Sequence, residues 1–295
     1  MAKSLLIGDN AFIGVNHLSL ARGRQKLSEL GLKPIAETMM TAISCGANGF
    51  TFSAHPTNLK ILDTLIHSGL PSDFGIWPVL PYAAGYIRTV NETGIKGLID
   101  DVMSKLSFSD KARLLSKGAL SALTLDPIRL MKTYLDMELA NIVSLKGVNL
   151  ATVMLHEVIT DLGISLEAKQ LFQSFLRHIR DRYDVMPGFV TRNFVKFVEF
   201  FERCELSLDG VAVMTPVNKI GFQMNPSRES CEAVLSRMTH KNVVAMSIMA
   251  GGYLGLDEAI DYLGKLKNLS GIAVGVSSRE HAEHTFTRLR ALNQI

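Results

Sequence analysis

Cysteine is scarce: Cys45, Cys204 and Cys231 are the only three in 295 residues. None belongs to a CxxC pair, and an odd number suits no disulfide framework. A reducing cytoplasm is the expected compartment, with three small thiols packed on helices. Long apolar runs are also missing. The longest, from Asn242 to Leu256, is broken by Ser247 and three glycines, short of the roughly 20 residues a bilayer span needs. The opening stretch from Met1 to Asp9 breaks after three apolar side chains, too short for a secretory core. Basic runs are absent, and 31 Lys and Arg against 28 Asp and Glu leave a net charge of +3. Neither a membrane nor a nucleic-acid partner is favoured. No glycine fingerprint of a dinucleotide-binding sheet follows the first strand, since Gly8, Gly14 and Gly23 have the wrong spacing.

What is present is a globular composition, 47% apolar and 20% charged, enough to build a large core and exclude whole-chain disorder. Eight short apolar runs lack polar alternation: 11–15, 49–52, 76–80, 151–155, 186–190, 210–214, 243–248 and 271–276. Such runs are expected of parallel strands buried on both faces. Amphipathic stretches intervene at 35–44, 165–183, 195–204, 228–238, 256–266 and 279–292. Ser227 and Ser278 stand where helix caps are needed. Eight alternations without a break in composition predict a single α/β domain over residues 1–295, a (β/α)8 TIM barrel. One connection, residues 83–148 between strands three and four, exceeds what a crossover needs. It reads as a helical insertion in three pieces, 94–106, 110–120 and 126–141, the last opened by Asp126-Pro127. A lid, a homo-oligomer contact and a plain packing excursion are all compatible with it.

Barrel chemistry sits where strands end and the following loops begin. That filter retains Asp9, Asn10, Asn16, His17, Ser53, His55, Tyr82, His156, Glu157, Thr191, Arg192, Asn193, Asn218, Lys219, Ser247, Ser277 and Ser278. His156 suits a general acid, general base or substrate ligand. Asp9, Asn10, His17, Arg192 and Asn193 are expected around the substrate, Arg192 offering a cation to an anionic group. Gly251, Gly252, Ser277 and Ser278 follow strands seven and eight, the usual barrel location for a phosphate held by backbone amides. His17, His55 and His156 with Asp9 or Glu157 could supply three metal ligands, but no His-x-His accompanies them, so a metal is not expected. Lys219 is separated from its strand by Thr215-Pro216-Val217 and reads as a surface lysine, not a Schiff-base former.

The strand edges carry a resemblance. Gly188-Phe189-Val190-Thr191-Arg192-Asn193-Phe194 resembles the fifth-strand motif of the aldo-keto reductase superfamily. Ile272 to Glu280 is similar to its eighth-strand ending, and Ala245 to Leu254 to its seventh. Met154-Leu155-His156 resembles the fourth-strand ending that supplies the family's histidine, and Ser44 to Phe50 its turn into strand two. The resemblance spans nearly the whole chain in order. It implies the barrel, a bound NADP or NAD, and a role near the nicotinamide carboxamide for Asn218.

The departures are as informative. The family uses an aspartate and a tyrosine after strand two and a lysine ending strand three. Here strand two ends Thr51-Phe52-Ser53-Ala54-His55-Pro56 and strand three ends Pro78-Val79-Leu80-Pro81-Tyr82. The lysine that would tune a tyrosine is missing, which leaves His156 with Tyr82 or His55 as candidate catalytic groups. The expectation is an enzyme binding a small phosphate-bearing ligand or nicotinamide nucleotide at the C-terminal barrel face, without ordinary turnover of simple aldehydes. The alternatives left open are a lyase, isomerase or hydrolase on a phosphorylated or carboxylated metabolite, and a non-catalytic barrel.

Overall fold

Seven of the eight apolar runs without polar alternation become strands buried on both sides, and with Ser4–Gly8 they make eight parallel strands. The computed structural model describes residues 4–13, 31–82, 126–239 and 242–293. The strands are β1 (Ser4–Gly8), β2 (Gly49–Ser53), β3 (Gly75–Leu80), β4 (Thr152–Leu155), β5 (Met186–Val190), β6 (Ala212–Pro216), β7 (Val243–Met246) and β8 (Leu269–Gly275). A two-residue stretch, Asn149–Leu150, pairs with β3 just before β4 and extends it. Each strand pairs with its sequence neighbour, and β8 pairs with β1, from Ser4 opposite Gly271 to Gly8 opposite Gly275. The sheet closes into a (β/α)8 barrel.

The described helices are α1 (Leu32–Ser44), α2 (Pro56–His67), α3 (Pro127–Val143), α4 (Glu157–Ser165), α5 (Lys169–Tyr183), α6 (Phe194–Arg203), α7 (Arg228–Arg237), α8 (Leu256–Leu263) and α9 (Arg279–Asn293). Among the described residues, no helix is long and apolar enough to cross a membrane.

Strand alternation splits the core in two. Leu6, Trp77, Met154, Val190, Ala212, Met214, Val244 and Ala273 fill the barrel interior. Leu5, Ile7, Phe50, Phe52, Ile76, Leu80, Val153, Leu155 and Phe189 point outward against the helices. The densest part of the outer layer is a phenylalanine wedge. Phe189 of β5 lies 5.1–5.5 Å, centroid to centroid, from Phe172 and Phe175 of α5 and Phe197 and Phe201 of α6. These are edge-tilted contacts of the kind aromatic rings favour.

Three expectations need correction. The first strand is Ser4–Gly8, not 11–15. Leu5, Leu6 and Ile7 are completely covered, whereas the chain turns back after Asp9 with Phe12 N–H donating to Asp9 O at 2.8 Å. The helix expected over 165–183 begins only at Lys169, as α5, and an unexpected helix, α4, precedes it. Glu167 takes a left-handed φ of 53° between them, and Leu166 is 69% exposed instead of lying on the buried stripe. Residues 56–67, not among the expected helices, form α2. Of the insertion, the pieces 94–106 and 110–120 lie outside the described residues. The third is α3, whose Asp126 Oδ1 accepts from Ile128 N–H at 3.0 Å.

Candidate functional site

The C-terminal rim of the barrel gathers most of the polar residues singled out in the sequence. His55 and His156 share one local role. Each ends the chain segment after a strand, and each accepts a hydrogen bond at Nδ1 from the second residue of the following helix. His55 takes Thr57 N–H at 3.1 Å and His156 takes Val158 N–H at 3.2 Å. They cap α2 and α4 in the way Ser or Asp usually does. An Nδ1 that accepts carries no proton, so each ring is the neutral tautomer with its proton on Nε2. Burial holds His156 below the ordinary imidazole range; the Glu157 carboxylate opposes this and the Arg192 cation reinforces it. By alternation with inward Met154, His156 stands on the interior side of β4.

β3 lies between β2 and β4, so Tyr82 comes up between the two histidines. Its ring meets His55 edge-on at 5.5 Å. Its backbone N–H is shared by both carboxylate oxygens of Glu138, at 3.0 Å each. Glu138 belongs to α3 and is buried, so the third piece of the insertion anchors the end of β3.

A second cluster joins β1, β2 and α2. Asp9 Oδ2 accepts from Ser53 N–H at 2.9 Å, Ser53 Oγ at 3.0 Å and Asn58 Nδ2 at 2.7 Å. Burial nevertheless dominates and pushes the Asp9 carboxyl above the usual carboxylate range. Asn58 is fully covered, and its Oδ1 has no hydrogen-bond partner. A third cluster lies after β5. Arg192 and Glu157 form an ion pair at 2.5 Å, and the buried Arg192 Nε has no partner. Asp161 of α4 fixes this turn, accepting from Thr191 Oγ1 at 2.5 Å and Arg192 N–H at 3.2 Å. Asn193 N–H donates to Thr191 Oγ1 at 3.0 Å, leading into α6.

The other rim residues are placed as follows. Asn10 is exposed in the turn after β1, and His17 lies outside the described residues. The Asn218 amide is closed on its own loop, donating to Phe222 O at 2.9 Å and accepting from Phe222 N–H at 2.7 Å. Lys219 pairs with Glu258 at 2.5 Å and is half exposed. Gly251 and Gly252 take φ of 72° and 104°, values glycine adopts freely. Gly252 N–H turns back to Met249 O at 2.9 Å. Ser277 N–H donates to His281 Nδ1 at 3.4 Å, while Ser278 Oγ caps α9 by accepting from His281 N–H at 3.2 Å. Among the described residues, no three His, Cys, Asp or Glu side chains converge as a metal site.

Asn58, Glu138 and Asp161 are site residues that the sequence reading missed. Two of them were signalled. Asn58 shares a helical stripe with Ile61, Leu62 and Leu65, and Glu138 one with Met131, Tyr134, Leu135 and Ile142. A polar residue on such a stripe is buried and needs a partner. Asp161 gives no such signal.

No family model matches the chain, and no curated protein matches it in sequence. Solved structures do. Two, assigned to the aldo-keto reductases of Pseudomonas aeruginosa, align over 98% of this chain and 90% of their own, with TM-scores of 0.55 and 0.53 at 13% identity. At that identity the likeness concerns the fold. The chain is an aldo-keto-reductase-like (β/α)8 barrel, divergent in sequence.

Proposed function

We propose that this barrel is a divergent oxidoreductase that binds a nicotinamide nucleotide and a small carbonyl substrate at its C-terminal mouth. The observation that carries the reading is the state of His156: a neutral ring, fixed by a helix N-terminus, with its only proton on Nε2 beside the Arg192–Glu157 pair. A neutral imidazole N–H is a hydrogen-bond donor suited to a carbonyl oxygen and to the oxyanion that develops on it. With Nδ1 committed, His156 polarises and Tyr82 O–H is the group that passes a proton to the alkoxide. Arg192 gives an anionic substituent a cation at the rim.

The rim's fit to the nucleotide is uneven. Gly251 and Gly252 offer an exposed turn without side chains, next to the strand whose end carries Ser278 and the first turn of α9. These residues would hold phosphate groups. Asn218 would have to break its pair of bonds to Phe222 to reach a carboxamide, so in this proposal it shapes its loop. When bound, the nucleotide would supply the hydride.

The test uses Trp77, the single tryptophan, which lies in the barrel interior. NADPH should quench its fluorescence. NADPH oxidation across a panel of carbonyl compounds from pH 5 to 9 should show only trace turnover of simple aldehydes, because the family's tyrosine–lysine pair is absent. For any compound that is turned over, His156→Asn should lower kcat by about 10²–10³ with NADPH affinity unchanged. Absence of NADPH binding overturns the redox reading in favour of non-redox chemistry on a phosphorylated or carboxylated metabolite.

A further inference from the structure

Six glycines occupy inward-facing positions of the strands: Gly8, Gly49, Gly75, Gly188, Gly271 and Gly275. Backbone contacts exclude a side chain at Gly49 and Gly271, and close neighbours crowd one at Gly75 and Gly188. A Cβ at Gly49 would come within 2.6 Å of Leu6 Cδ2 and 2.8 Å of Gly75 O. At Gly271 it would meet Ser4 O at 2.7 Å, at Gly188 the Met154 thioether, and at Gly75 Ala151 Cβ at 3.2 Å. The remaining two differ. Among the described residues, the atoms nearest to a Cβ at Gly8 are backbone of the next strand, at 3.6 Å or more, and one at Gly275 meets Gly8 O at 3.8 Å. Those are ordinary contacts, and neither residue has a positive φ. Among the described residues, neither space nor backbone conformation calls for glycine at these two places.

The two are also neighbours. Gly8 and Gly275 sit opposite one another in the β1–β8 ladder, at its mouth end, and both are partly exposed. Directly below them on the same inner face are Leu6 and Ala273, and Ser53 stands at the end of the adjoining strand β2. The result, among the described residues, is a strip of two peptide units without side chains at the barrel mouth, apolar beneath. Peptide planes without side chains are the surface on which a planar π system can lie closely.

We infer that Gly8 and Gly275 form a seat for a flat aromatic or heteroaromatic ring of the ligand. The inference rests on the reading that the mouth is the ligand site, but not on the ligand being a nucleotide. The experiment compares benzamide with cyclohexanecarboxamide, which carry the same polar group on a flat and a puckered ring. Binding is followed by saturation-transfer NMR on the wild-type chain and on Gly8→Val, Gly275→Val and the corresponding alanine variants, with melting temperatures alongside. The expected result is benzamide binding to wild type, at least tenfold weaker binding of the puckered ring, and a tenfold or greater loss of benzamide in either valine variant at an unchanged melting temperature. The alanine variants should fall between. Equal binding by the valine variants, equal binding of the two rings, or no benzamide binding to wild type overturns the seat. So does a large drop in the melting temperature of the alanine variants, which would show that packing requires these glycines. NADPH that fails to bind while benzamide shows the expected pattern removes the nucleotide reading and leaves the seat.

Discussion

Two single residues at the rim carry opposite pH signatures. For His156 the folded chain resists protonation, while the unfolded chain takes up a proton near pH 6.5. Stability is therefore independent of this residue at pH 8, where both states are neutral, and falls as pH drops below about 6.5. His156→Asn keeps an acceptor for the helix N-terminus, so thermal melts at pH 8 and pH 5 should lie closer together in the variant than in wild type. For Asp9 the sign reverses. Its folded carboxyl ionises at a higher pH than in the unfolded chain, so stability is lost as pH rises from the unfolded value, about 3.9, through the folded one. An asparagine oxygen can accept the same three hydrogen bonds. Asp9→Asn should melt higher than wild type at pH 8, with the gap closing towards pH 3. A variant more stable and yet weaker in ligand binding or turnover would mark Asp9 as a carboxyl retained for function at a cost in stability. Unchanged function would remove it from the site.

At the scale of elements, helix starts were legible where the cap was conventional and hidden where it was not. Asp126, Ser227 and Ser278 cap α3, α7 and α9 as their residue types suggest. The starts of α2 and α4 were invisible because their caps are histidines, a residue type not expected there, and because Pro56 and Glu157 follow polar residues that read as loop. The start of α5 was set four residues early for a similar cause, since left-handed Glu167 has nothing in its side chain to announce that conformation. Seven of the eight strands were legible because each is largely apolar on both faces. The first was misplaced because two short apolar runs flank Asp9 and either could pair with β2. The wedge where α5 and α6 meet β5 makes the strongest local statement about energy. Phe189→Ala removes a fully buried ring that touches four others and should cost about 3–5 kcal/mol in denaturant unfolding. A loss below 1 kcal/mol would mean the wedge collapses around the gap.

For the whole molecule, closure depends on the last strand entering between β7 and β1. A chain ending at residue 268 would lack β8 and α9 and expose two unpaired parallel edges, one on β7 and one on β1. Open edges of this length pair with other chains, so the truncated protein should partition into the insoluble fraction while full-length chain stays in solution. Recovery of a soluble, cooperatively unfolding fragment would contradict this. The closed barrel has two linings of different character. Outside β5, the wall is rigid aromatic packing. Inside, Met154, Met186, Met214 and Met246 line much of the bore together with Trp77. Thioethers on unbranched chains change rotamer at little cost and fill irregular space, so the bore can adjust its shape from within while the outer layer holds the frame. It is also chemically vulnerable: oxidation of these sulfurs to sulfoxide would place polar, bulkier groups in a mostly apolar interior. Mild peroxide should therefore inactivate the protein by loosening the barrel from the inside, with a methionine sulfoxide reductase able to restore it.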